Sequence, residues 1–153
     1  MEIFDKSGNP IAISDPPQTR IFSRMDLRNA FLAGAKMQGV TFDRSNLQGS
    51  DFKGADLYGA RLVDSNCDGC SFAGADFRGA RIRNVSFRNA DMRGARFSLD
   101  EMNKGMALRH VDFTNANLDG ADFTGAIYDS GTIFPVGFDP AERGLTPEHN
   151  ADL

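Results

Sequence analysis

The chain has 153 residues, a formal net charge of -4 at pH 7 and 41% hydrophobic residues. No apolar run approaches the ~20 residues that a helix needs to cross a bilayer, so we expect one soluble domain without membrane contact. The first five residues contain neither a basic start nor an apolar signal core, and we therefore predict a cytoplasmic protein.

Residues 1–24 precede the main repeat of the chain. The apolar residues 3–4 and 11–13 flank residues 6–9, whose composition of Lys, Ser, Gly and Asn is typical of a turn. This pattern predicts a small hairpin. Phe31 is apolar at a position that should face outward, and we expect it to pack under the hairpin.

From Leu27 to Phe97 every fifth residue is apolar, in an unbroken series of fifteen positions. The series resumes one residue out of phase at Leu108 and ends at Tyr128, which adds five positions. A period of five fits neither a helix nor a strand, so the chain must turn a corner every five residues. A small residue, often Ala, stands two residues before each apolar centre, and Gly or Asn usually stands two residues after it. The first should point inward and the second should form the corner.

Residues 50–54 (SDFKG), 55–59 (ADLYG) and 75–79 (ADFRG) resemble the pentapeptide-repeat family, and the resemblance extends over about residues 25–130. It implies an all-β fold, a right-handed quadrilateral β-helix with one pentapeptide on each side and twenty residues in each coil. Twenty repeats then make about five coils. Residues 1–24 become an N-terminal cap and residues 131–153 a C-terminal cap with a polar tail, because the end coils of a solenoid must be covered.

Cys67 and Cys70 form a C-x-x-C motif, which in other proteins supports redox chemistry or supplies half of a zinc site. The phase of the repeat points both side chains inward, and no second Cys or His pair completes a tetrahedral site. We predict that both pack in the core, the alternative being a reactive or disulfide-forming pair. We expect no metal and no cofactor, since the Asp and Asn side chains before the centres face outward on different sides.

The search for catalytic residues finds little. His110 and His149 have no partner in sequence that would complete a catalytic triad. The interior positions are filled by Ala, Leu and Phe, which leaves no cleft in which a nucleophile and a base could meet. We predict that the protein is not an enzyme and has no small-molecule substrate.

Charge is unevenly distributed along the chain. Residues 76–99 carry six Arg and two acids, whereas residues 100–153 carry ten acids and three bases. Arg61 and Arg81 are twenty residues apart and should stack directly, with Arg83 beside them. Because like charges that face each other across paired strands are destabilising, this cluster indicates a place for an anion or an acidic partner. In the alternative interpretation, Glu101 and nearby Asp side chains neutralise it.

The period slips at residues 98–107, where one extra residue interrupts the repeat. We expect a bulge or short turn there, with Met102 as a centre above Ile82. Loops that interrupt a rigid scaffold often carry recognition. The candidate interaction patch is therefore Arg61, Arg81, Arg83 and Lys104.

After the repeat, apolar residues at 127, 133, 134, 136 and 138 form a second cluster, followed by a polar tail from residue 139. We predict that the cluster caps the β-helix, the alternative being a dimer contact. The protein could thus be a monomer or a dimer through this cap.

Two functions compete. The first is a noncatalytic scaffold that binds another protein. The second, implied by the family resemblance, is a DNA-mimicking modulator or protector of a type II topoisomerase, DNA gyrase. The basic segment and the small number of coils oppose mimicry, which needs a long acidic surface. Direct nucleic-acid binding is weaker still, because the aromatic side chains that could stack on bases are expected in the core.

Overall fold

The computed structural model describes residues 3–10 and 20–149. Six short strands occur in this part of the chain: β1 (Phe4–Asp5), β2 (Ala30–Phe31), β3 (Ile82–Arg83), β4 (Ala107–Arg109), β5 (Ile127–Tyr128) and β6 (Thr146–Pro147). Strands β1 and β2 pair antiparallel, and β3, β4, β5 and β6 form a parallel sheet in that order. No helix among the described residues is long and apolar enough to cross a membrane.

Successive coils are joined by parallel backbone pairing between residues twenty positions apart. Asp56 pairs with Asp76, for example, and Leu57 N–H donates to the Asp76 carbonyl at 2.9 Å while Asp76 N–H donates to the Ala55 carbonyl at 3.0 Å. The same arrangement repeats from Ile21 to Arg96. Each coil is therefore hydrogen-bonded to the next, as in a β-helical solenoid. The right hand of the helix, its four sides and the number of coils stay predictions.

The apolar centres and the small residues two positions earlier line the interior. Phe52, Phe72, Phe77 and Phe97 are fully buried, and Ala55, Ala75 and Ala95 beside them are equally inaccessible. Rings in adjacent coils stack almost parallel, at 5.0 Å for the pair Phe52 and Phe72 and 5.0 Å for the pair Phe77 and Phe97. The predicted inward direction of both positions is confirmed.

The corner residues adopt left-handed backbone conformations. From residue 24 to 94, and again from 110 to 125, every residue two positions after a centre has φ between 52° and 78°. Gly54, with φ of 65°, shows why Gly is favoured there, since a Cβ would strain the backbone even in open space.

The insertion into the repeat is longer than the sequence pattern suggested. Ile82 pairs with Leu108, so this coil spans twenty-six positions, six more than the regular coils before it. Residues 98–106, named here the excursion, leave the stack. The prediction that Met102 stacks above Ile82 is wrong, because Met102 is 68% exposed and Leu108 takes that place. A multiple of five plus one extra residue produces the same change of phase as one extra residue alone.

The N-terminal segment lies against the first coils. Phe4 bridges to Pro10, and β1 pairs with β2 so that Phe4 stands opposite Phe31. Residues 11–13, the predicted second arm of the hairpin, lie outside the described residues. Phe31 is 56% exposed although it pairs with Phe4.

The C-terminal segment continues the stack beyond residue 130. Asp112 bridges to Ile133, and β6 pairs with β5. The rings of Phe134 and Phe138 stack on each other with 5.0 Å between their centroids. The ring of Phe134 also stacks on Phe113 of the last regular coil, at 5.9 Å. The described part of the predicted polar tail is thus partly paired. Val136 is fully exposed, and a dimer contact there stays a prediction.

Candidate functional site

The candidate site is built on one side of the coils, where β3 and β4 pair. Arg81 bridges in parallel to Arg61 in the preceding coil, and Arg83 stands opposite Arg109 in the following one. Because side chains alternate along a strand, buried Ile82 points inward while Arg81 and Arg83 both point outward. Four guanidinium groups from three adjacent coils therefore share one surface.

These arginines border a groove of about 380 Å³, which we name the arginine groove. Its lining residues are Arg61, Val63, Ala80, Arg81, Ile82, Arg83, Ala107 and Arg109. Small or aliphatic side chains form the floor, so the guanidinium groups stand above a shallow apolar base. Arg81, Arg83 and Arg109 are exposed, and a ligand could reach them from solvent.

The two outer arginines of the groove have carboxylate partners. Arg61 donates to Asp43 Oδ2 from Nε at 3.1 Å and from Nη2 at 2.8 Å. Arg109 donates from Nε to Glu148 Oε2 at 3.1 Å and from Nη2 to Oε1. The hydrogen bonds from Arg109 hold the pKa of Glu148 below its ordinary value, and the same contact raises the pKa of Arg109.

The two central arginines differ from the other arginines of the basic segment. Within residues 3–10 and 20–149, Arg81 and Arg83 make neither a salt bridge nor a side-chain hydrogen bond. The remaining four arginines of residues 76–99 are all ion-paired: Arg78 with Asp76, Arg88 with Asp112, Arg93 with Asp91 and Arg96 with Asp76. The two arginines of residues 76–99 that lack a carboxylate partner among the described residues therefore both lie in the groove.

The structure brings together Arg61, Arg81 and Arg83 of the predicted patch. Lys104 lies in the excursion and does not line the groove. Arg109 takes the fourth position, and sequence reasoning missed it because the length of the excursion decides which residue follows Arg83. Glu101, proposed as a neutralising group, does not pair with either central arginine.

The excursion is a hydrogen-bonded turn next to the corner at Gly79. Asp100 Oδ1 accepts hydrogen bonds from the backbone N–H groups of Met102 and Lys104, both at 2.9 Å. A Cβ added to Gly79 would stand 3.9 Å from Asp100 Cβ, so the turn lies against the corner that precedes Arg81 by two residues. Leu99 anchors the turn by packing against Gly125 in the next coil.

The opposite edge of this side has an unusual corner column. Arg24, Arg44, Asp64 and His110 have positive φ, and all four stand where other corners carry Gly or Asn. Side chains with a Cβ are strained in this conformation, and such strain is common at functional sites. In the sequence, these four residues differ from the other corner residues only in not being Gly or Asn.

Comparison with known protein families identifies the same five-residue repeat. The family model of pentapeptide repeats matches eight copies, over residues 26–63, 60–98 and 105–127, which is more than half of the chain. The chain belongs to the pentapeptide-repeat family. No curated protein matches it.

Several solved structures, two of them of pentapeptide-repeat proteins, are similar to this one. A protein from Nostoc Pcc 7120 is 32% identical, with 71% of this chain and 84% of that chain covered and a TM-score of 0.37. A protein from the Arabidopsis thaliana thylakoid lumen is 20% identical, with 75% and 73% covered and a TM-score of 0.45. QnrB1, a plasmid-mediated fluoroquinolone resistance protein, is 21% identical, with 72% and 65% covered and a TM-score of 0.38.

The two cysteines of this pentapeptide-repeat protein are buried and free, as predicted from their phase. Cys70 Sγ donates to the Leu47 carbonyl at 2.9 Å, and burial raises the pKa of the Cys67 thiol well above its ordinary value. A neutral buried thiol is a weak nucleophile. Among the described residues, no group of three or more His, Cys, Asp or Glu side chains is arranged to hold a metal ion.

Proposed function

We propose that this chain, a right-handed four-sided β-helix of about five coils, is a noncatalytic scaffold that binds an acidic segment of another protein at the arginine groove. The observation that carries the proposal is the pairing pattern of residues 76–99. Four of the six arginines there have carboxylate partners, while Arg81 and Arg83 have none among the described residues.

The charges of the groove support an acidic partner on energetic grounds. Guanidinium groups that face each other across paired strands repel, which is destabilising. A carboxylate bound to Arg81 or Arg83 would reduce the repulsion from the facing Arg61 or Arg109 and accept charge-assisted hydrogen bonds, which are about twice as strong as neutral ones. The same repulsion that destabilises the unbound protein therefore favours the binding of an acidic group.

The form of the site supports a protein partner. The guanidinium groups belong to exposed side chains on the outer face of the coils, and the interior behind them is filled by buried Ile82 and Leu108. A substrate enclosed by catalytic groups has no place in such an arrangement. An extended polypeptide, in contrast, could lie along the groove and contact several coils.

The test is binding of a fluorescein-labelled polyglutamate peptide, followed by fluorescence anisotropy. We expect Arg81→Glu/Arg83→Glu to weaken binding by at least about tenfold, which is ~1.4 kcal/mol. The control is Arg28→Glu/Arg93→Glu, which changes the net charge equally but removes arginines already paired with Asp26 and Asp91. Equal loss in both variants would show that only net charge matters and would contradict the proposal.

The DNA-mimicking alternative is separated by a supercoiling assay with a type II topoisomerase. Inhibition or protection that persists in Arg81→Glu/Arg83→Glu would favour the alternative, because mimicry depends on acidic surface and not on the groove. The cytoplasmic location and the choice between monomer and dimer stay predictions.

A further inference from the structure

The spacing of the two central arginines restricts the kind of acidic segment that fits. Arg81 directly precedes β3 and Arg83 is its last residue, so in extended backbone their Cα atoms are about 6.6 Å apart and both side chains point outward. An extended peptide has the same geometry. Its residues at alternate positions present their side chains on one face at this spacing, whereas adjacent residues point in opposite directions.

The excursion supplies a second kind of contact beside the arginines. Met102 is 68% exposed at the tip of this turn. Two backbone hydrogen bonds to Asp100 and the packing of Leu99 fix the shape of the turn that carries Met102. Exposed Met side chains are common at surfaces that bind apolar groups of partner proteins, because the flexible thioether adapts to their shape.

The position of the excursion connects these two features. It lies against Gly79, which precedes Arg81 by two residues, and it ends at Met106, directly before Ala107 of the groove. The turn therefore lies next to the corner at which β3 and β4 begin, while the groove itself is lined by other residues. Lys104 adds a positive charge to the excursion.

We propose that the arginine groove and the excursion form one composite surface. It binds an extended segment of a partner protein that carries two acidic residues at alternate positions and an apolar residue at the next alternate position, on the same face. The carboxylates bind Arg81 and Arg83, and the apolar side chain packs on Met102. This inference rests on the proposed function and specifies its ligand.

Other anionic ligands would use only part of this surface. A free phosphate could sit between Arg81 and Arg83, but it has no apolar group for Met102. A single-stranded nucleic acid would stack its bases on exposed aromatic side chains, and the residues that line the groove include no aromatic one. An acidic peptide with an apolar residue makes use of every feature described here.

The experiment compares three labelled peptides by fluorescence anisotropy with the full-length protein. The first carries two Glu residues separated by Thr, with a Leu residue two positions beyond each Glu, so that Glu and Leu share one face and either chain direction offers an apolar contact. The second has the same composition with the two Glu residues adjacent. The third is the first peptide with both Leu residues replaced by Ser. Inorganic phosphate is added as a competitor in a parallel titration.

We expect the alternating peptide to bind about tenfold more tightly than the adjacent one, because only one carboxylate of the adjacent pair can reach an arginine. Met102→Ser should weaken binding of the peptide that contains Leu about fivefold, as expected from burial of part of one apolar side chain, and should leave the Ser peptide unchanged. Val136→Ser is the matched control, since Val136 is another exposed apolar residue outside this surface, and it should change nothing.

Two results overturn the inference while the proposed function stands. The first is equal binding of the alternating and adjacent peptides, and the second is an equal response to all three peptides in Met102→Ser, provided that Arg81→Glu/Arg83→Glu still abolishes binding. If no acidic peptide binds, if phosphate competes as well as the peptides do, or if charge reversal in the groove has no effect, the proposed function itself fails.

Discussion

Arg81 and Arg83 should reduce the stability of the fold that holds them, and this can be measured directly. We predict that the double variant Arg81→Gln/Arg83→Gln has a higher free energy of unfolding than the natural chain. Gln keeps much of the aliphatic stem of Arg and a polar end but removes the charge. Arg81 faces Arg61 across a parallel bridge, and Arg83 faces Arg109 in the pairing of β3 with β4.

The magnitude follows from these two facing pairs. Like charges directly opposite on paired strands are destabilising, and two unit charges about 5 Å apart in water repel by ~0.8 kcal/mol. Asp43 and Glu148 partly neutralise the outer arginines, which reduces the repulsion. We therefore expect the double variant to gain about 0.5–1 kcal/mol at low salt.

The assay is urea unfolding followed by circular dichroism, at about 0.01 M and about 1 M salt. The Debye length falls from about 30 Å to about 3 Å between these conditions, so the gain should largely disappear at high salt. The control, Arg28→Gln/Arg93→Gln, removes arginines that are ion-paired with Asp26 and Asp91 at 2.7 Å. It should lose between about 0 and 1 kcal/mol per pair. If the groove variant is destabilised at both salt concentrations, Arg81 and Arg83 contribute to the fold and the reasoning about the groove is refuted.

Three further predictions concern the core, the thiols and the C-terminal pairing. Phe97→Ala should lower the free energy of unfolding by about 3–5 kcal/mol, because Phe97 is fully buried and stacked on both sides; a loss under about 1.5 kcal/mol in urea unfolding would contradict this. Cys67 and Cys70 should react with a thiol reagent only as fast as the protein unfolds, since burial raises the pKa of Cys67 and keeps it protonated; rapid modification of the native protein would show that the site opens. The pKa of Glu148 is lowered by Arg109, so this pair stabilises the protein above the ordinary pKa of Glu and the contribution is lost as the pH falls through the lowered value. Glu148→Gln should therefore flatten the acid limb of the stability profile, and an unchanged limb would show that the pair contributes nothing.

Most of the fold could be predicted from the period of five. The direction of Ala55, Leu57 and Gly59 within one repeat follows from the corner that each side must make, and the same rule applies to every other side. Burial of Cys67 and Cys70 followed from the phase alone. Such predictions succeed because each repeat contacts only its neighbours, so a local pattern determines local structure.

The register after the excursion could not be predicted in the same way. A change of phase by one residue fits an insertion of one residue as well as an insertion of six, since the remaining five would be one complete side. The sequence therefore placed Met102 in the core, whereas backbone pairing places Leu108 there and leaves Met102 exposed. Arg109 entered the candidate site only when that pairing was known.

The sequence by itself determined the repeat, the inward and outward side-chain directions, the stacking of Arg61 on Arg81 and the position of Arg83 beside them. The tertiary structure decided which of these charges are neutralised. Asp43 reaches Arg61 from eighteen positions away and Glu148 reaches Arg109 from thirty-nine, whereas no carboxylate among the described residues reaches Arg81 or Arg83. Ion pairs of this kind depend on side-chain conformations across several coils, and a periodic backbone pattern contains no information about them.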